Sequence, residues 1–528
     1  MTWKIKDDGE TPKEVYNWRM YLASVCAGFG GALFGYDNAF LGGTLALPSF
    51  RTQFGLDGLS TGDVNNLSSN IIITFQAGCF FACFLALPLA ETLGRRLTLI
   101  IASTVFVAGA AIQLTGHLGT FYAGRFLTGI GVGPLTGVVP LYISEISPPA
   151  FRGRCIGLFE IAYQIGGLLG FWINYGVSLH LPGTGATQWR IPVAMQLPMI
   201  GAFLLGCFFL PETPRFLIKN LQFERASAVL ARLRNLPASH PYVQRELANI
   251  QDAVQMERDL MGVTAETRRM EVAKRTLRDC LRPQIAYRIS VGVVTQFFGQ
   301  FSGINGINYY SPSIFKSLGV VGTSTGLFAT GIYGVVKFVT ATVAYFFLVD
   351  RVGRKPLLLA GSAVMTVALV FVGAYIKIAG PPQTSGQHEI TGGGIAACAF
   401  IYIYVIGFVG SYAGVPWILS SEAVPINVRA ISSALSGATQ WLFNLVVTKA
   451  TPYLISDIGF GTFFFFAGWV VLGAVYVWLF VPETRGVPLE HMAAAFGYQD
   501  NIQDHGMFGE DLKRVQDDNA SAQEIDRV

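Results

Sequence analysis

The chain has 528 residues and a formal net charge of +4, with 52% hydrophobic and only 13% charged residues. Soluble chains carry about 25% charged residues, so a string of soluble domains is excluded despite the length. The small net charge points to no nucleic acid, and the six scattered His and the lack of a nucleophile–base set, nucleotide loop or metal cluster exclude an obvious enzyme, cofactor or metal site.

The polar, charged N-terminal segment (residues 1–18) lacks the apolar core of a cleavable signal peptide. A membrane helix needs about 20 apolar residues. That window predicts twelve spans near 19–40, 71–90, 97–115, 121–143, 155–178, 191–210, 288–310, 324–348, 356–376, 395–420, 430–454 and 460–481. The first carries Gly28, Gly30, Gly31 and Gly35, which reads as a close-packing face. The chain therefore divides into a tail (1–18), six helices (19–210), a polar central segment (211–287), six helices (288–481) and a second polar tail (482–528). The expected class is an all-α membrane protein in two pseudo-symmetric six-helix halves.

Basic residues set orientation. Arg95, Arg96, Arg152, Arg154, the central segment, Arg351, Arg354, Lys355 and Arg429 fall on one side with Lys4, Lys6 and Lys13. Both tails and the central segment are expected in the cytoplasm. In the central segment, residues 224–234 (ERASAVLARLR) read as a solvated helix with a basic face. The tail after about 490 reads as disordered. Asn66-Leu-Ser68 is a glycosylation sequon on the outer side or, equally, an unmodified Asn at a helix start. The seven cysteines (26, 79, 83, 155, 207, 280 and 398) lack metal-type spacing and are expected as free thiols.

The halves repeat. Residues 90–96 (AETLGRR) match 349–355 (VDRVGRK), Glu145 with Arg152 matches Glu422 with Arg429, and 211–213 (PET) matches 482–484 (PET). Parallel repeats place a solute site near the bilayer midplane, between the halves.

Nine motifs in order carry a resemblance: 35–37 (GYD), 94–96 (GRR), 124–129 (GRFLTG), 140–145 (PLYISE), 211–215 (PETPR), 302–305 (SGIN), 350–355 (DRVGRK), 415–417 (VPW) and 482–484 (PET). Over about residues 15–490 the chain resembles the sugar porter family of the major facilitator superfamily. It is most similar to the fungal branch with quinate permeases, through 15–18 (VYNW), 44–49 (TLALPS), 171–176 (FWINYG) and 308–312 (NYYSP).

The resemblance implies a proton-coupled carrier of a small polar solute, working by alternating access as a monomeric unit. In proton-coupled members, residues matching Asp37 and Arg125 pair, and the acid carries the proton; the bland alternative is a structural ion pair. A carboxylate beside a guanidinium stays ionised, and separation in a buried site favours protonation. Glu91 with Arg95 and Arg96, Asp350 with Arg354 and Lys355, Glu145 with Arg152, and Glu422 with Arg429 would form a cytoplasmic gate of charge networks holding the outward-facing state. Their bland reading is an orientation signal with surface ion pairs. Glu91 stands where Asp is common.

Carry-over by motif gives solute ligands Gln300, Asn305 and Tyr309 on the seventh span, Trp417 on the tenth, and Gln440, Trp441 and Asn444 on the eleventh. Amides donate and accept to hydroxyls, and aromatic rings face a sugar's C–H surface. The bland reading of each is an interhelical hydrogen bond. Two departures stand out. Glu160 occupies the position of a binding Gln, and the usual tandem Gln is Gly299-Gln300. Lys337 lies at or one residue from a binding Asn. Gln164, one turn after Glu160, is placed to replace some lost hydrogen bonding. Either Glu160 and Lys337 pair across the halves, or Lys337 meets a substrate carboxylate. The cargo expected is a monosaccharide or a quinate-like acid. A passive facilitator or a nutrient sensor on the same fold is the alternative, although the roughly 45 residues after Pro482 are short for a sensor tail. The plasma membrane is the family expectation, with a vacuolar membrane as the other candidate.

Overall fold

The structure, a computed structural model, describes residues 11–148, 152–260, 269–380, 391–425, 428–485, 492 and 496. Most of the tail after 490 lies outside the described residues. In hydrocarbon, every backbone polar group must be satisfied within the chain, which favours helices. Twelve long helices follow: α1 (Trp18–Ala46), α2 (Thr61–Leu93), α3 (Arg95–Gln113), α4 (Leu118–Ile146), α5 (Arg152–His180) and α6 (Thr187–Phe209) in the first half. The second half has α7 (Pro283–Phe301, then Ile304–Ser317), α8 (Thr323–Val343), α9 (Arg354–Ala379), α10 (Gly392–Val409, then Val415–Glu422), α11 (Arg429–Ile458) and α12 (Gly461–Phe480).

Nine of these, among the described residues, are long and apolar enough to cross a membrane. The other three are α1, α7 and α11. They are glycine-rich, broken or polar, and they carry Asp37, Gln300, Asn305, Gln440 and Asn444. The helices that fit a bilayer least well by composition thus carry a large share of the candidate site, with Arg125, Glu160, Gln164 and Lys337 on more apolar spans. Helix α7 breaks at Ser302-Gly303, where Gly303 adopts φ +89° and a Cβ would lie 2.6 Å from the Phe466 ring. Only glycine suits both demands. Helix α2 starts ten residues before the expected 71, because Ser60 caps it by accepting from the Asp63 N–H at 3.2 Å.

The glycine face of α1 packs against α5 as the sequence suggests. A Cβ at Gly31 would come 2.5 Å from the Phe159 carbonyl oxygen. At Gly35 and Gly166 a Cβ would run into the carbonyls of Tyr163 and Ala32. The two backbones therefore touch, as small residues permit in membrane bundles.

The halves meet along α2 with α11, α5 with α8, and α1 with the second segment of α7. A Cβ at Gly42 of α1 would collide with the Tyr309 carbonyl. Away from the basic loops, Lys449 donates to Asn66 Oδ1 and Asn70 Oδ1, both at 2.7 Å, and to Ser69 Oγ at 3.1 Å. Asn65 of α2 donates to the Pro452 carbonyl at 3.2 Å. The seam is thus closed at the end opposite the basic loops. Asn66 of the sequon lies inside α2, with its side-chain oxygen engaged by Lys449.

The central segment corrects one expectation. Helix Phe223–Arg234 is not simply solvated: Ala226 and Leu230 pack with Leu217, Val243 and Leu247 into a small core of their own. Arg234 is 1% exposed, donates from Nε to Glu246 at 2.7 Å and from Nη1 to the Ile146 carbonyl at 2.9 Å. An Arg counted on a basic face instead anchors this unit to the end of α4. All seven cysteines are free thiols.

Candidate functional site

Asp37 and Arg125 meet. Arg125 Nη1 donates to Asp37 Oδ1 at 2.8 Å, and both side chains are fully buried. The guanidinium lies 4.5 Å from the Phe75 ring centre and 5.7 Å from that of Phe40. Asp37 Oδ2, Arg125 Nε and Arg125 Nη2 have no hydrogen-bond partner among the described residues. A single-bonded pair in an apolar setting is under-satisfied, since a buried ion pair recovers its desolvation cost only when its remaining donors and acceptors are also met. The arrangement can hold a charge pair and can accept a proton or water at its open atoms.

The solute ligands expected from the motifs lie along the seam. Asn305 donates to Gln300 Oε1, and Gln300 is buried while Asn305 is half-buried. Gln440 accepts from Gln296 of α7. Asn444 accepts from Gln76 of α2 at 2.9 Å, and Thr448 joins both. Trp441 is fully buried between Phe34 (5.4 Å) and Phe75 (5.8 Å) of the first half, and its indole N–H has no partner among the described residues. Trp417 is half-buried, 3.3 Å from where a Cβ of Gly437 would stand.

Glu160 and Lys337 do not form an ion pair here. Gln164 donates to Glu160 Oε1 at 2.9 Å, within α5. Lys337, 9% exposed, donates to Asn308 Oδ1 at 3.4 Å, with the rings of Tyr163 and Tyr333 at 5.8 and 5.7 Å. Tyr309 donates its hydroxyl to Asn38 Oδ1, and Asn308 Nδ2 donates to the Asn38 carbonyl at 2.9 Å. Asn38, Asn308 and Gln76 were not foreseen as site residues. The available signals were Asn38 directly after Asp37 and Asn308 opening residues 308–312.

At the basic end, two matching networks appear. Arg95, 2% exposed, reaches Glu145 at 2.9 and 3.0 Å and Glu91 at 2.8 Å. Thr213 donates to Glu145 at 2.6 Å, and Glu212 accepts the backbone N–H groups of Arg95 and Arg96 at 3.1 Å each. In the second half, Arg354 reaches Glu422 at 3.0 Å, Thr484 donates to Glu422 at 3.0 Å, and Glu483 accepts the N–H groups of Arg354 and Lys355 at 3.0 Å each. Glu212 and Glu483 thus cap α3 and α9, where exposed N–H groups and the helix dipole favour an anion. Burial pushes the Glu212 carboxyl above the ordinary value, against the N–H groups that favour its ionised form.

The expected partners differ in detail. Glu145 pairs with Arg95, because the end of α4 meets the α2–α3 corner, whereas Arg152 opens α5 with an exposed side chain. Glu422 likewise pairs with Arg354, and Arg429 opens α11. Arg96 donates to the Cys207 and Phe208 carbonyls at 3.1 and 2.6 Å, and Lys355 to the Trp478 carbonyl at 2.8 Å, each at the end of a helix. The side chain of Asp350 lies outside the described residues. Each of these bonds joins elements of one half.

The profile of the family "Sugar (and other) transporter" matches residues 23–496. A probable quinate permease of Aspergillus clavatus is 43% identical over 507 residues, covering 95% of this chain and 92% of that protein. A quinate permease of Neurospora terricola is 42% identical over 501 residues, covering 93% and 91%. Among solved structures, the proton:xylose symporter XylE bound to 6-bromo-6-deoxy-D-glucose superposes with a TM-score of 0.73 at 28% identity, covering 90% of this chain and 99% of that one. A partially occluded inward open form of the xylose transporter XylE from E. coli gives 0.72 at 27% identity, covering 89% and 100%. With its fold, repeated networks and polar seam, the chain belongs to the sugar porters of the major facilitator superfamily and is a multi-pass membrane carrier of a small solute.

Proposed function

We propose that this carrier imports a cyclic polyhydroxy acid of the quinate type together with protons, by alternating access across the plasma membrane. The observation that carries the substrate reading is Lys337: a buried ammonium on the seam, with one amide partner at 3.4 Å and no ion pair among the described residues. Buried charges are normally paired, and a solute carboxylate supplies the missing charge. Gln164, Gln300, Asn305, Gln440 and Asn444 supply donors and acceptors for ring hydroxyls, with Glu160, Tyr309, Trp417 and Trp441 beside them. The names of the fungal relatives support the same substrate class.

Proton coupling rests on Asp37 and Arg125. While they touch, the carboxylate keeps its charge; when rocking of the halves parts them, a lone buried carboxylate takes up a proton. The tails and central segment then face the cytoplasm, and Glu91, Arg95, Arg96, Glu145, Arg152, Asp350, Arg354, Lys355, Glu422 and Arg429 act as the cytoplasmic gate. The test is uptake in transporter-null cells offered quinate, galacturonate, glucose and xylose, with and without an uncoupler. Quinate uptake is expected to fall on uncoupling, and Lys337→Asn to weaken quinate uptake by at least tenfold more than that of glucose. Equal effects on both solutes would refute the carboxylate reading. Uptake that only equilibrates the solute and is unaffected by the uncoupler would make the carrier a passive facilitator.

A further inference from the structure

The side chain of Asn308 has two ends in two places. Its Oδ1 accepts from Lys337 on α8 at 3.4 Å, while its Nδ2 donates to the Asn38 carbonyl on α1 at 2.9 Å. Asn38 belongs to the first half, next to Asp37, and receives the Tyr309 hydroxyl as well. This bond to α1 exists only where α1 and the second segment of α7 have come together, the contact at which Gly42 meets the Tyr309 carbonyl. Closing that seam therefore fixes the Asn308 amide with its oxygen toward Lys337.

We infer that Asn308 competes with the solute's carboxylate for Lys337 and so promotes discharge of the cargo once the outer seam has closed. The inference rests on the reading of Lys337 as the carboxylate's ligand. An ammonium has three donors, and Lys337 uses one of them on Asn308, with no ion pair to Glu160 among the described residues. A carboxylate makes a charge-assisted bond roughly twice as strong as a neutral one, so a loaded Lys337 is held by its cargo. When the cargo leaves, the buried ammonium would lose its directly bonded carboxylate, which opposes release. Asn308 removes much of that obstacle by offering an oxygen at the same place. The ammonium also polarises the amide and makes Nδ2 a better donor to Asn38, so emptying Lys337 tightens the closed seam. The amide bridge thus links an empty cation site to the closed state.

The direction of the effect separates a competitor from a structural link. Full-length carrier is purified, and equilibrium binding of labelled quinate is measured with net efflux and quinate exchange in proteoliposomes. Asn308→Ala is expected to bind quinate about tenfold more tightly, the scale of one hydrogen bond to a charged group, and to slow net efflux while exchange persists. Asn308→Asp places a fixed carboxylate against Lys337; it is expected to bind quinate at least tenfold more weakly. A weaker or unchanged affinity in Asn308→Ala overturns the inference. Should that variant fail to fold, the isosteric Asn308→Asp decides alone, with an unchanged affinity overturning it. Wild-type carrier that binds no quinate would remove the reading on which the inference stands, whatever the variants do.

Discussion

Lys449→Met should shift the carrier toward its outward-open form. The ammonium holds three oxygens of α2 at 2.7, 2.7 and 3.1 Å, from the opposite half, and no carboxylate is among these partners. Methionine fills similar volume and donates nothing. Hydrogen bonds to a charged group contribute about 1.5–3 kcal/mol when well buried, but Lys449 and Asn70 are only half-buried and Asn66 is exposed. Discounting for solvent gives about 1 kcal/mol per bond, so roughly 2–3 kcal/mol for the clasp. That is about a 30- to 150-fold change in the ratio of the two forms. The readout is a cysteine at Thr448, which is fully buried and bonded to Gln76 across the seam. Labelling of Thr448→Cys by a membrane-impermeant maleimide should be at least tenfold faster with Met at 449 than with Lys. Equal rates would show that the seam holds without the clasp and would refute the reasoning.

Gly42→Val should prevent the outer seam from closing, because its Cβ would strike the Tyr309 carbonyl; uptake is expected to fall more than tenfold at normal surface abundance, and normal uptake would contradict this. Glu212→Gln bears on pH. Burial raises the Glu212 carboxyl above its unfolded value, so its protonation favours the folded state, fully below the unfolded pKa of about 4.3, and this advantage fades as pH rises through the folded value. The melting temperature of wild type relative to Glu212→Gln is therefore expected to drop with rising pH in the acid range; a constant difference would refute the shift.

Local periodicity and spacing made much of this fold legible. The glycines of α1 predicted a close helix contact, and the Phe159 and Tyr163 carbonyls of α5 provide it. The motif positions of Asp37 and Arg125 proved to be hydrogen-bonded neighbours. Pairing across elements was harder to read. The seven-residue gap between Glu145 and Arg152 suggested a pair, yet α4 ends against Arg95, which sits at a corner 50 residues earlier. Seam contacts such as Gln76 with Asn444, Asn308 with Asn38, and Lys449 with α2 left no trace in any helical period. They depend on how two halves approach, and polar residues near helix ends look like surface residues until the second half is in place. Arg234 looks solvent-facing within its own helix, and only the next helix of the central segment supplies its partner Glu246.

The backbone contact between α1 and α5 has a consequence for changing what this carrier accepts. With Gly35 and Gly166 each facing a carbonyl of the other helix, α1 and α5 have no room to slide independently. The wall bearing Glu160 and Gln164 is in effect welded to the helix bearing Asp37. Altering the cargo by enlarging residues on that wall would displace the ion pair as well, trading drive for specificity. The opposite wall, with Gln300, Asn305 and Lys337 on helices of the other half, touches α1 across the seam at Gly42 and the Tyr309 carbonyl, a contact that parts when the halves rock. Directed evolution toward new solutes should therefore find its productive substitutions on α7 and α8, and mostly inactive carriers on α1 and α5.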